Sequence, residues 1–124
     1  MKTLLVDDDD LTRRVVASQL LRLGHQCECA RDGRDAWRLI LRDDYRLVLS
    51  DCMMPGMSGL ELCRRIRARP SGPYVYFILL TSLGEREDRL LGLEAGADDF
   101  LSKPVDTELL AARLAVAQRV LGLF

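Results

Sequence analysis

The chain holds one histidine, four prolines and four cysteines in 124 residues, and these scarcities narrow its chemistry. His25 alone cannot complete a zinc site with the cysteines at the usual spacing, and no C-x-x-C pair occurs. Lys plus Arg number 18 against 19 Asp plus Glu, and no basic block stands apart from the acids. The footprint of a nucleic-acid binder is therefore missing. No apolar run approaches the ~18 residues of a membrane span. The apolar start at Met1–Val6 runs at once into Asp7, unlike a signal peptide. A cytoplasmic location without membrane or direct nucleic-acid contact is expected. Cys27 and Cys29 alternate with Gln26 and Glu28, which predicts one apolar strand face carrying buried, reduced thiols.

What is present is ordinary for a globular protein: 48% hydrophobic and 30% charged residues. The length predicts one domain over residues 1–124, large enough to bury roughly two-thirds of its unfolded surface. Short apolar runs alternate with segments of helical period. Strands are expected at Thr3–Val6, Gln26–Ala30, Leu47–Ser50, Tyr74–Leu80 and Asp99–Ser102. Helices are expected at Leu11–Leu23, Gly33–Leu41, Leu60–Arg69, Glu85–Ala95 and from Thr107 to the end. In the first helix Leu11, Val15, Val16, Leu20 and Leu23 form the apolar stripe; in the second Trp37, Ile40 and Leu41 form the inner face. Five strand–helix repeats predict an α/β fold: a parallel sheet with helices on both faces.

Ligands of such sheets bind outside the carboxyl ends of the strands. Those ends carry Asp7 and Asp8, Asp51, Thr81 and Ser82, and Lys103. A single Asp after a strand is ordinarily a turn or cap residue, and Asp9 or Asp10 fits that role. Several polar strand ends on one edge instead point to a site. Three close carboxylates repel, and a hard divalent ion such as Mg²⁺ relieves them. An ionised aspartate can then attack a phosphoryl group, with Lys103 and Thr81 neutralising its oxygens.

Four segments in order carry a family resemblance: residues 4–8 (LLVDD), 51–59 (DCMMPGMSG), 79–82 (LLTS) and 95–104 (AGADDFLSKP). Over nearly its whole length the chain resembles the receiver domain of bacterial two-component response regulators. The resemblance implies a flavodoxin-like doubly wound sheet of order 2-1-3-4-5. It implies Asp51 as acceptor of phosphate from a histidine kinase or phosphotransfer protein. Asp7, Asp8, Asp51 and the backbone carbonyl of Met53 would hold Mg²⁺, and Thr81 and Lys103 would hold the phosphate. It further implies a cis Lys103–Pro104 bond, a switch made of Thr81 and Phe100, and a helix 4/strand 5/helix 5 face that meets an output domain or a second copy. Such a domain catalyses only its own phosphorylation and dephosphorylation. The stretch from Glu85 to Val105 is most similar to receivers preceding GGDEF diguanylate cyclase domains.

Two further expectations concern single positions. Met53 and Leu83 are apolar where the family is often polar, which predicts a long-lived phosphorylated state. On the last helix Leu110, Leu114, Ala117 and Leu121 form one apolar stripe; Leu109, Ala112, Val116, Val120 and Leu123 form a second. The second stripe is either a wide core face or a docking surface. A rival class also fits one motif: Asp8-Asp-Asp-Leu-Thr12 satisfies the D-x-D-x-T of haloacid-dehalogenase-like phosphohydrolases, with Asp8 as nucleophile, Asp10 as acid/base and Asp98–Asp99 as a later motif. That class leaves the Met54–Pro55 pair after Asp51 unexplained. A receiver retained only as a protein-binding module is a third reading, opposed by the intact acidic pair, Thr81 and Lys103.

Overall fold

The computed structural model describes residues 2–82 and 86–122. Five strands, β1 (Lys2–Val6), β2 (Gln26–Ala30), β3 (Leu47–Asp51), β4 (Tyr76–Thr81) and β5 (Asp99–Ser102), form one sheet of order β2-β1-β3-β4-β5. All neighbouring pairs are parallel. Helices α1 (Asp10–Arg22), α2 (Gly33–Arg42), α3 (Gly59–Arg67), α4 (Arg86–Ala95) and α5 (Thr107–Leu121) connect and follow the strands. This is the flavodoxin-like α/β fold.

Strand periodicity sorts the core into two layers. Leu4 and Val6 of β1, Val48 of β3 and Phe77 and Leu79 of β4 pack with Ala36, Leu39 and Ile40 of α2 and Leu62, Cys63 and Ile66 of α3. Leu5, Leu47, Leu49, Ile78 and Leu80 point the other way, against Val16 and Leu20 of α1 and Leu110, Leu114 and Ala117 of α5. The three inner strands are covered on both faces, which is why they read as continuous apolar runs. Side-chain caps start four helices: Asp9 accepts from Thr12 N, Asp32 from Asp35 N, Ser58 from Glu61 N and Asp106 from Leu109 N. Among the described residues no helix is long and apolar enough to cross a membrane.

Several expectations from the sequence need correction. Cys29 is exposed and Cys27 only half-buried, because β2 is an edge strand and its outer flank is open. Leu41 is 59% exposed, and the inner face of α2 is set by Ala36, Leu39 and Ile40. Leu11 and Val15 are exposed; the buried line of α1 is Val16, Gln19 and Leu20. Gln19 is buried because its amide donates 2.8 Å hydrogen bonds to Val105 O and Thr107 Oγ1, tying α1 to the start of α5. β4 starts at Tyr76, and Tyr74 lies outside it, exposed. Glu85 and Leu123 lie outside the described residues.

Candidate functional site

Asp7 follows β1, Asp51 ends β3, Thr81 ends β4 and Lys103 follows β5, so parallel pairing brings all four to one sheet edge. The loop after β3 turns back tightly here. Gly59 N donates to Cys52 O at 2.9 Å. A Cβ on Gly59 would stand 2.0 Å from the Asp51 carbonyl oxygen, so only glycine lets α3 begin this close to the strand end.

One carboxylate oxygen from each of Asp7, Asp8 and Asp51 lies within 4.8 Å of the others. Asp7 is fully buried, Asp51 partly so, and Asp8 is exposed. Lys103 Nζ stands 3.0 Å from Asp51 Oδ1 and 2.9 Å from Asp7 Oδ2, an ion pair with each. The second Asp7 oxygen accepts from Asp9 N at 2.9 Å. Burial pushes the Asp51 carboxyl up to about 6; Lys103 opposes this and the charges of Asp7 and Asp8 add to it. Burial disfavours the Lys103 ammonium, but its pairing with Asp7 and Asp51 outweighs that and holds its pKa above the ordinary lysine value.

Three carboxylates face one ammonium, which leaves an excess of negative charge. Thr81 Oγ1 is buried without a hydrogen-bond partner among the described residues, and Asp7 Oδ2 meets only the ammonium that Asp51 shares. Buried polar atoms of that kind call for a partner. An all-oxygen donor set with excess negative charge fits a hard divalent cation, and the orphaned Thr81 hydroxyl fits a second polar group beside it.

The other singled-out residues are placed as follows. The Lys103–Pro104 peptide bond is cis. Phe100 lies within β5, partly buried against the core layer of α2 and α3. A Cβ on Gly92 of α4 would stand 2.8 Å from its ring, so that glycine lets α4 settle on Phe100. Met53 is 62% exposed, and Leu83 lies outside the described residues. Asp9 caps α1, as one of the two alternatives had it. Asp10 is exposed, pairs with Arg13 and has no part in the carboxylate cluster, which removes the acid/base of the dehalogenase-like reading. Asp98 and Asp99 stand at the entry of β5, on the far edge of the sheet from Asp51. Arg13 escaped the sequence reading: its guanidinium donates to the Asp7 carbonyl at 2.7 Å, a contact made only once α1 folds back over β1.

The family model of the response regulator receiver domain matches residues 3–115. The response regulator PleD of Caulobacter vibrioides is 38% identical over 113 residues, covering 91% of this chain and 25% of PleD. The transcriptional regulatory protein AfsQ1 of Streptomyces coelicolor is 40% identical over 116 residues, covering 94% of this chain and 50% of AfsQ1. The chain thus spans half or less of these curated relatives. A solved response regulator/GGDEF domain protein superposes with a TM-score of 0.91 at 30% identity, over 98% of this chain and 50% of that one. The likeness to receivers joined to GGDEF domains is therefore present, beside an equally similar transcriptional regulator. With residues 3–115 matched, from the first strand into the last helix, the chain belongs to the response regulator receiver domains of two-component systems.

Proposed function

We propose that the chain, as a single receiver domain over residues 1–124, accepts a phosphoryl group on Asp51 from the phosphohistidine of a histidine kinase or phosphotransfer protein. The observation that carries this reading is the convergence of Asp7, Asp8 and Asp51 within 4.8 Å, with Lys103 bridging Asp51 and Asp7. Asp7, Asp8, Asp51 and the Met53 backbone carbonyl would hold Mg²⁺. When bound, the ion supplies positive charge that keeps Asp51 ionised and neutralises phosphoryl oxygens. Asp51 Oδ forms the new bond to phosphorus while the bond to the donor imidazole nitrogen breaks, and the imidazole leaves. Lys103 steadies the incoming oxygens by charge and Thr81 by its hydroxyl. No separate base is required, since the attacking carboxylate carries no proton to remove.

Phosphorylation would draw in Thr81, reorient Phe100 and reshape the face of α4, β5 and α5. On those elements Leu90, Leu91 and Leu93 of α4 and Leu109 and Val120 of α5 are exposed, which suits contact with an output domain or a second copy. Intact mass after incubation with acetyl phosphate and Mg²⁺ tests the acceptor. A gain of one phosphoryl group that vanishes in Asp51→Asn and in EDTA is expected. Labelling that persists in either case would sink the mechanism.

A further inference from the structure

We propose that Cys29 and Cys27 form a reversible thiol-oxidation site on the outer edge of the sheet, in which Cys29 attacks a hydroperoxide and Cys27 resolves the product. The site is separate from the acceptor carboxylates and does not depend on their role.

The geometry comes from β2. Residues two apart in a strand share a face, so both thiols point toward the layer of α1 and α5. Cys27 packs against that layer, while Cys29 reaches solvent. Cys29 lines an open groove with Asp10, Arg13, Arg14 and Ala17 of α1. The charged residues of that groove are Arg13, Arg14 and Asp10, and Glu28 flanks Cys29 on its own strand. The Asp10 charge is spent on Arg13.

Two positions apart on one strand face, the two thiols influence each other's ionisation. The Cys27 sulfur also lies 3.7 Å from the Glu28 carbonyl, so its S–H has a resting acceptor. When Cys29 ionises, that S–H can turn to the thiolate. Donation from Cys27 holds Cys29 down to about 7, with Arg13 helping and burial opposing. The Cys27 thiol is correspondingly pushed up. Cys29 is thus the more acidic and more accessible thiol while its neighbour holds its proton more tightly, the division of labour that thiol oxidation needs. Cys52 and Cys63 are buried, and burial pushes Cys63 up to about 11, so neither competes.

The chemistry balances in two steps. The Cys29 thiolate attacks one peroxide oxygen; the S–O bond forms, the O–O bond breaks, and the departing oxygen takes up a proton as water or alcohol. Sulfur is oxidised by two electrons and the peroxide reduced by two. The Cys27 sulfur then attacks the Cys29 sulfur as its proton passes to the leaving oxygen, forming S–S and releasing water. Strand spacing sets the Cα atoms ~6.6 Å apart, near the top of the roughly 4.4–6.8 Å range of disulfides, and holds the Cβ atoms beyond the roughly 3.5–4.5 Å a disulfide needs. The bond therefore closes only if β2 bends. An edge strand hydrogen-bonded on one side alone can bend, and a strained disulfide is readily reduced again.

The test uses the reduced full chain. Iodoacetamide alkylation is followed against pH with each cysteine peptide quantified by mass, and a second sample receives one equivalent of hydrogen peroxide. Cys29 should alkylate with a midpoint near pH 7, at least tenfold faster than Cys52 or Cys63. Peroxide should remove two hydrogens between Cys27 and Cys29, and dithiothreitol should restore them. Cys27→Ala should raise the Cys29 midpoint by a unit or more and leave a sulfenic acid that dimedone traps. Cys27→Ser, which keeps a donor but cannot resolve, should hold the midpoint near that of the parent and still form no disulfide. Melting curves establish that both variants are folded. A Cys29 midpoint near the ordinary thiol value in the parent, or one unmoved in Cys27→Ala, overturns the activation. Peroxide products other than the Cys27–Cys29 bond overturn the resolving role. Asp51→Asn should leave every readout unchanged, so failure here and failure of the acceptor assignment are distinguishable.

Discussion

Lys103 Nζ stands 3.0 Å from Asp51 Oδ1, and this contact does not bring the carboxyl to its ordinary acidity. The same ammonium also serves Asp7 at 2.9 Å, and burial acts on Asp51 more strongly than either interaction relieves it. The site is thus arranged for more positive charge than the chain supplies.

The first prediction is that metal-free protein becomes less stable as pH rises through about 6. Folding raises the Asp51 pKa from 3.8 to about 6, so the folded chain binds more protons than the unfolded chain between those values. The contribution of this group is fully present below about 4 and is lost as pH rises through about 6. Asp51→Asn should abolish that slope and stabilise the metal-free chain by about 1–3 kcal/mol at pH 7.5. Urea titrations at pH 5 and 7.5 in EDTA measure both effects. Lys103→Ala should move the Asp51 midpoint further above 6, read by carboxyl ¹³C shifts. A lower midpoint would contradict the pairing.

The second prediction concerns the far edge of the sheet. Arg67 donates to Gly96 O at 2.9 Å, Val75 O at 2.6 Å and Asp98 Oδ2 at 2.8 Å. Asp98 also accepts from Phe77 N at 2.8 Å and Tyr74 Oη at 2.5 Å, and the Arg67 guanidinium lies 4.6 Å from the Tyr74 ring centre. These contacts bolt the end of α3 to the entries of β4 and β5. Asp98→Ala strands a half-buried guanidinium and an N–H, so a loss of about 2–3 kcal/mol is expected. Labelling of Asp51 by acetyl phosphate should be unchanged in the folded variant. A parallel loss of labelling would show that the two edges are coupled.

The strand and helix order was legible in the sequence because inner strands covered on both faces leave continuous apolar runs such as Leu47–Leu49 and Phe77–Leu80. The position of the acidic cluster was legible for a topological reason: in a parallel sheet every strand's carboxyl end meets the same edge. Exposure on β2 was not. Alternation says that Cys27 and Cys29 share a face, but only the sheet order makes that face an open edge. The contacts of Arg13 and Gln19 were equally hidden, since each reaches a partner brought near by tertiary packing. The Leu41 error has a simpler origin, since the apolar cluster of Leu39, Ile40 and Leu41 is wider than the arc of α2 that meets the sheet.

The third prediction tests the turn beneath the acceptor. A Cβ on Gly59 would meet the Asp51 carbonyl oxygen at 2.0 Å, and that oxygen belongs to backbone fixed by β3. Gly59→Ala should therefore destabilise the chain by about 1–3 kcal/mol through overpacking, with slower labelling because the strand end shifts. Wild-type stability by urea denaturation would mean that α3 can retreat without cost.

The fourth prediction separates the two stripes of α5. Leu110 and Ala117 are fully buried and Leu114 is 2% exposed, so the first stripe belongs to the core. Leu109 and Val120 are 42% and 60% exposed, which removes the wide-core alternative for the second stripe at these positions. Truncating the first should create a cavity, and Leu114→Ala is expected to cost about 2–4 kcal/mol. Val120→Glu replaces one exposed side chain by another and should change the stability of the unphosphorylated chain by less than about 0.5 kcal/mol. Its effect belongs to assembly. Sedimentation with beryllofluoride, a phosphoryl mimic, should show weaker self-association or weaker capture of an output domain in Val120→Glu than in the parent. A variant that is stable, phosphorylated and indistinguishable from wild type in every assembly state would leave the exposed α5 stripe without a docking role.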